Sequence, residues 1–263
     1  MEKFSLIYAN TDRIMRVVVL FSGGASGARY LLEEGNVEDS NYEIVAGFTD
    51  HGDALGIDFF RERNIPVQVS KKDSFFDDQR PEDDAQPRYF ARLTGEVKQF
   101  EPDLILLSGF MQVIKPPLLT EYSRRIINVH PADLTLKEEG KRRYTGDDAV
   151  YDTLVGGETE IRSTVHLVTE RVDQGEIIVL SKMAPIEQDM IQIFERFNPG
   201  MIRKYSDVLQ EWIKWSCDGP SIHKALSLIS TGQVGFSGGE LRVCGEGGFV
   251  KGYYDLEIGR VVS

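Results

Sequence analysis

The sequence predicts an α/β protein, a doubly wound and mostly parallel twisted sheet with a small β appendage at its C-terminal end. Three observations carry that expectation. Arg16 to Phe21 (R-V-V-V-L-F) is apolar after its first residue, with no alternation, as in a parallel strand covered on both faces. From Met15 to Asp147, short apolar runs alternate with stretches of helical texture at the spacing of right-handed βαβ units. Beyond Asp147 the texture changes to a hairpin, a long helix and glycine-punctuated strands.

In chain order, residues 1–14 read as an extension ahead of the first strand. That strand, Arg16 to Phe21, runs into a glycine-rich turn, Ser22 to Gly27, which feeds a helix ending near Gly35. Strands follow at Glu43 to Thr49, Pro66 to Val69, Leu104 to Leu107 and Ile126 to Val129. Between them lie helices around Leu55 to Arg63, Tyr89 to Phe100 and Pro117 to Tyr122. Asp73 to Asp84 is dense in acid and reads as an exposed loop. A helix over Asp148 to Leu154 precedes an antiparallel hairpin, Ser163 to Val168 and Glu176 to Met183, joined by the turn Glu170 to Gly175. The helix from Met190 to Ser216 breaks at Asn198-Pro199-Gly200, because proline removes a helical hydrogen bond. A short helix, Ser221 to Ile229, leads to strands at Val234 to Phe236, Leu241 to Val243 and Tyr253 to Ile258.

At 263 residues and 41% hydrophobic, the chain can bury a sizeable core. Its formal net charge of −12 repels polyanions, which argues against general binding of nucleic acid or anionic membranes and requires a locally basic pocket for any anionic substrate. Two cysteines, Cys217 and Cys244, are too few for a disulfide framework or a zinc site and suit a cytoplasmic protein. The sequence shows no apolar run of the ~20 residues that span a bilayer, and no signal-peptide stretch near its start.

Chemistry gathers at few places. Ile127 to Pro131 (I-N-V-H-P) puts an amide, Asn128, and an imidazole, His130, two residues apart at a strand end, so both point to one face and can hold a developing oxyanion. Taken singly, a strand-end histidine is a packing residue and asparagine a turn former. Asp173 suits a turn equally well, or can sit beside His130, raise its pKa and relay protons. The loop S-G-G-A-S-G (Ser22, Gly23, Gly24, Ala25, Ser26, Gly27) is either a tight strand-to-helix turn or a phosphate cradle of backbone N–H groups. Lys141, Arg142 and Arg143 form a run that by default is a solvated face, and alternatively supplies anion contacts.

The N-x-H-P strand end, followed in order by V-D-Q-G at Val172 to Gly175, resembles the folate-dependent formyltransferases over Met15 to about Trp215. What the resemblance implies is a formyltransferase fold over residues 15–216, with 217–263 as a C-terminal helix and β appendage. It also implies transfer of a formyl group from 10-formyltetrahydrofolate, without a metal, to the amine of glycinamide ribonucleotide in purine biosynthesis. Alternative acceptors are a sugar amine or an amino acid derivative, and a noncatalytic folate-binding protein is the reading from another class. Asn128, His130 and Asp173 would be catalytic, with His130 held as imidazolium, and His166 would support them from behind. Phe110, Met111, Gln112 and Val113 would line the folate pocket with Val172, Gln174 and Gly175, while Arg88 or Arg92 would take the glutamyl carboxylates. Ser22 to Gly27 would hold the substrate phosphate in a monomer or homodimer.

Departures from the family pattern are equally visible. Ala25 and Gly27 stand where the family loop S-G-x-G-S-N has its second glycine and its asparagine, and Gln112 replaces a basic residue. Residues 133–145 are an insertion, and the stretch around Met201 offers no glutamate to the substrate.

Overall fold

The computed structural model describes residues 4–9, 12–35, 40–71 and 85–263; the acidic segment Asp73 to Asp84 lies outside the described residues. A short strand β1 (Ser5–Leu6) precedes β2 (Met15–Phe21), in which all side chains but Arg16 are buried. The first half then alternates α1 (Ser26–Glu34), β3 (Tyr42–Thr49), α2 (Gly56–Glu62), β4 (Val67–Val69), α3 (Ala85–Lys98), β5 (Leu104–Leu107), α4 (Leu118–Glu121) and β6 (Ile126–His130). A two-residue ladder, β7 (Lys137–Glu138) with β8 (Lys141–Arg142), occupies the insertion. Next come α5 (Ala149–Val155), β9 (Glu160–Ile161), the hairpin strands β10 (Thr164–Leu167) and β11 (Ile177–Leu180), and β12 (Ala184–Pro185). The chain ends with α6 (Gln188–Phe197), α7 (Gly200–Ile213), α8 (Gly219–Ser230), β13 (Val234–Ser237), β14 (Glu240–Gly245), β15 (Gly248–Val250), β16 (Tyr253–Asp255) and β17 (Arg260–Val262).

The main sheet runs β17-β16-β11-β10-β6-β5-β2-β3-β4. Its β6-β5-β2-β3-β4 half is parallel, and β10 joins β6 antiparallel. This is the doubly wound sheet that the apolar run at Arg16 predicts. Residues alternate between two cores along β2: Val17, Val19 and Phe21 pack toward α1, α2 and α8, whereas Val18 and Leu20 pack toward α3 and α4. A third cluster, including Val150, Ile191, Ile202, Leu209 and Ile213, holds α5, α6 and α7 together.

Three departures from the expected elements matter for the site. The long helix breaks at Asn198, as proline predicts, but α7 does not end at Ser216. It continues through a π-helical turn, Lys214–Asp218, into α8. The boundary expected at residue 216 therefore falls inside a continuous helical path, and α8 buries Ile222, Ala225 and Leu226 in the same core as β2. The tail also divides. Strands β13, β14 and β15 make a four-stranded sheet with β1, whereas β16 and β17 extend the main sheet, tied in by Arg162, which donates to Asp255 at 2.8 Å.

Candidate active site

Strand register builds the floor of the site. Across the antiparallel β6–β10 pair Asn128 lies opposite His166, and Thr164 lies opposite His130, so all four share one face of the sheet. Pro131 ends β6, and the Thr164 hydroxyl fixes the following turn by donating to the Ala132 carbonyl at 2.7 Å and accepting from the Leu134 N–H at 3.1 Å. His166 Nδ1 lies 2.8 Å from the Leu167 carbonyl, which can only accept, so Nδ1 carries the proton. Its Nε2 then accepts from the Asn128 amide at 3.4 Å. One N–H of Asn128 is thereby oriented, and the other is left for a ligand.

The turn after β10 brings the carboxylate. Asp173 adopts φ 54°, a left-handed conformation uncommon outside glycine. Two residues on, a Cβ at Gly175 would meet the Leu167 carbonyl oxygen at 1.7 Å, so only glycine lets the turn fold back onto β10. Asp173 Oδ2 lies 3.5 Å from His130 Nδ1 and accepts the Gly146 N–H at 2.8 Å, and Oδ1 lies 3.5 Å from His166 Nε2. His130 Nε2 lies 2.8 Å from the Tyr144 carbonyl and must be its protonated nitrogen in the neutral ring, which leaves Nδ1 turned toward Asp173.

Burial raises the Asp173 pKa, but the approach of His166 at Oδ1, the charge of His130 and the Gly146 N–H outweigh it and bring the group down to about 2. For His130 the balance runs the other way. Burial at 4% exposure lowers its pKa, and His166 and Arg142 add to that, while Asp173 and the Tyr144 carbonyl only partly offset it. The expected upward shift is therefore corrected to a downward one: Asp173 pulls in the direction expected, yet desolvation of the imidazolium is the larger effect. The resting pair is a carboxylate beside a neutral imidazole.

These groups sit in a cleft of about 230 Å³. Phe110, Met111, Gln112, Val113 and Val172 line it together with Asn128, His130, Asp173 and His166. Gln174, Gly175 and Arg88 are not among its lining residues, and Arg92 is occupied with Ser70, Lys71 and Glu96. The Gln112 amide donates to Asp50 at 3.0 Å, so its side chain is committed to the protein.

Of the loop Ser22 to Gly27, Ser26 reaches the cleft. Ser22 Oγ accepts the Met111 N–H at 2.9 Å, and Ala25, at φ 53°, makes the turn into α1. Gly23 and Gly24 face open space. The departure at Gly27 has a packing cause: a Cβ there would lie 2.5 Å from Ile222 Cδ1 and 3.0 Å from Ser108 Oγ, which already accepts the Gly27 N–H at 2.9 Å. An asparagine side chain has no room against α8.

The basic run does not close over this loop. Arg143 pairs with Glu158 at 2.7 Å, Lys141 is exposed, and Arg142 turns to the carbonyls of Asp173 and Gly175, the latter at 2.8 Å. None of the three lines the cleft.

Gln210, Lys214 and Asp218, in contrast, line the cleft as a stripe along α7 and the π turn, a contribution missing from the sequence expectation. Lys214 pairs with Glu211. Asp218 is 7% exposed, accepts the Ser163 hydroxyl at 2.5 Å, and is pushed by burial from its ordinary 3.8 to about 6. Standing just before Gly219-Pro220 it reads in the sequence as a helix stop, and only the packing of α8 against α1 turns it into a pocket residue.

A folded pKa above the unfolded one means that this carboxylate destabilises the fold once ionised. Stability falls as pH rises between about 4 and 6, by on the order of 3 kcal/mol. Asp218→Asn, whose amide oxygen still accepts from Ser163, should therefore unfold at higher denaturant concentration than the parent at about pH 8 and show no such gain at about pH 4. Denaturation curves with equal midpoints at the higher pH would contradict the assignment.

The comparisons with known proteins point to one family. The family described as formyl transferase matches residues 15–197. Phosphoribosylglycinamide formyltransferase of Escherichia coli (strain K12) is 27% identical over 169 residues, 64% of this chain and 73% of that protein. The trifunctional purine biosynthetic protein adenosine-3 of Drosophila melanogaster is 29% identical over 195 residues, 72% of this chain, which spans only 13% of that longer protein. Among solved structures, the phosphoribosylglycinamide formyltransferase of Coxiella burnetii in complex with CHES superposes with a TM-score of 0.69 at 21% identity, covering 93% of this chain and 100% of that one, and so shares its fold. With a match that spans strands β2 to β11 of the sheet, the Asn-x-His-Pro strand end and the Asp173 turn, the chain belongs to the formyl transferase family.

Proposed function

We infer that this chain transfers a formyl group from 10-formyltetrahydrofolate to the amine of glycinamide ribonucleotide. The observation that carries the reading is the convergence of Asn128, neutral His130 and ionised Asp173 on one wall of the cleft. The cleft suits a folate ring: Met111, Val113 and Val172 offer exposed apolar surface around it. When bound, the folate supplies the formyl carbon and a leaving nitrogen, N10. As the amine attacks that carbon, the free N–H of Asn128 donates to the oxygen on which negative charge develops. His130 takes the amine proton at Nδ1, the nitrogen facing Asp173, and returns it to the leaving nitrogen as the old C–N bond breaks. Asp173 stabilises the imidazolium in between.

The acceptor end is read from Ser26 at the start of α1, Lys214 and Asp218. In this reading the α1 N-terminus and the ammonium take the phosphate, and Asp218 supplies the carboxylate that the Met201 region lacks. The catalytic unit then runs from residue 15 through α8.

Steady-state assays with glycinamide ribonucleotide and its dephosphorylated riboside test this reading. A phosphate held by charge-assisted hydrogen bonds should favour the nucleotide by about 100-fold in kcat/KM. Equal values for the two would move the protein to another amine, and release of formate without transfer to either would remove the transferase reading.

A further inference from the structure

The segment between β6 and α5, the insertion and the residue after it, touches the site at three points. The Tyr144 carbonyl accepts from His130 Nε2, the Gly146 N–H donates to the Asp173 carboxylate, and the Arg142 guanidinium donates to two backbone carbonyls of the opposite turn, those of Asp173 and Gly175. The first two contacts are made by main-chain groups, which any sequence provides. The third depends on one side chain.

We propose that Arg142 is a positioning residue for the transfer reaction, clamping the Asp173 turn so that its carboxylate faces His130; this rests on the reading that Asp173 acts on His130. Asp173 holds a left-handed φ of 54°, a conformation that aspartate visits more readily than most residues but that still costs energy relative to the right-handed regions and is held by neighbouring contacts. A guanidinium is a planar fork whose N–H donors can reach two carbonyls at once, so it fixes the direction of the peptide planes on both sides of Gln174. A lysine ammonium at the same place is a single point of charge on a flexible stem. The clamp is half-buried between β8 and the turn, and its partners are carbonyls with no formal charge. It therefore sets geometry through the backbone, in addition to the charge interaction that its guanidinium has with the Asp173 carboxylate and with His130. Being outside the cleft lining, Arg142 is not placed to touch either substrate.

Four proteins test the proposal: the parent, Arg142→Ala, Asp173→Asn and the double variant, each assayed for kcat and for KM of both substrates. A misplacement of about 1 Å at a reacting group lowers rates by about 100-fold, so Arg142→Ala should lose about 10- to 100-fold in kcat with each KM within about 3-fold of the parent. In the Asp173→Asn background the same change should cost less than about 2-fold, because the carboxylate it aims is gone. Arg142→Lys, which keeps the charge but not the fork, should fall between and serves as the test if the alanine variant does not fold. A kcat near the parent's in Arg142→Ala or Arg142→Lys, with Asp173→Asn impaired, overturns the clamp and leaves the catalytic reading standing. Additive losses in the double variant do the same. Parent-like activity in Asp173→Asn overturns both.

Discussion

Asn128→Ala and His130→Ala are each expected to lower kcat by about 100-fold or more while leaving folate affinity within a few-fold of the parent, because their strongest interactions form only as charge develops on the formyl oxygen and on the amine. Asn128 is half-buried, and only its N–H toward His166 is committed, so truncation removes a donor aimed at the ligand without opening the core. His130 is buried, and its truncation also strands the Tyr144 carbonyl, so a loss of stability on the order of 1 to 3 kcal/mol should accompany the kinetic effect. Single-turnover formyl transfer, measured alongside folate titration, separates chemistry from binding. A parent-like single-turnover rate in either variant would remove that residue from the reaction.

The second large effect is expected of Asp173→Asn. The Asp173 carboxylate raises the His130 pKa, so its loss should drive a value that burial already depresses further below the usual 6.5. An imidazolium formed during proton transfer then has no counter-charge, and kcat should fall by about 100-fold or more. Stability carries a separate signature. Asp173 titrates at about 2 in the fold against an ordinary 3.8, so its contribution, about 2 kcal/mol, is complete above about pH 4 and lost as pH falls toward 2. The variant should thus be less stable than the parent at about pH 7, and the two should converge at about pH 2. Histidine NMR titration gives the decisive comparison: an unchanged His130 pKa in the variant would mean that the 3.5 Å approach carries no coupling.

What the sequence made legible follows from the range over which its patterns act. Period-two alternation placed Asn128 and His130 on one face, and the unbroken apolar run of β2 located the centre of the parallel half of the sheet, because both depend on neighbours a few residues apart. Asp173 was legible through the order of two short motifs. Asp218 was not: its place in the cleft depends on α8 packing against α1 and on one π turn, neither of which leaves a hydrophobic period to read. The His130 shift was misjudged for a related reason. A charged neighbour can be inferred from a motif, but depth of burial is set by the whole fold. At Lys141 to Arg143 the sequence displays charge, yet the partners that decide its use are a glutamate and two carbonyls brought in from elsewhere.

The π turn at Lys214–Asp218 has an evolutionary corollary. Such a turn is an α-helix with one extra residue accommodated, so the phase of everything before it is independent of everything after it. A chain shorter by one residue there would close into an ordinary helix and rotate α7 by about 100° relative to α8. Asp218 would keep its grip on Ser163, while Gln210 and Lys214 would swing away from the cleft. Insertion or loss of a single codon at this point is thus a route by which acceptor preference could be rewritten, with the reacting groups on β6 and in the Asp173 turn left untouched.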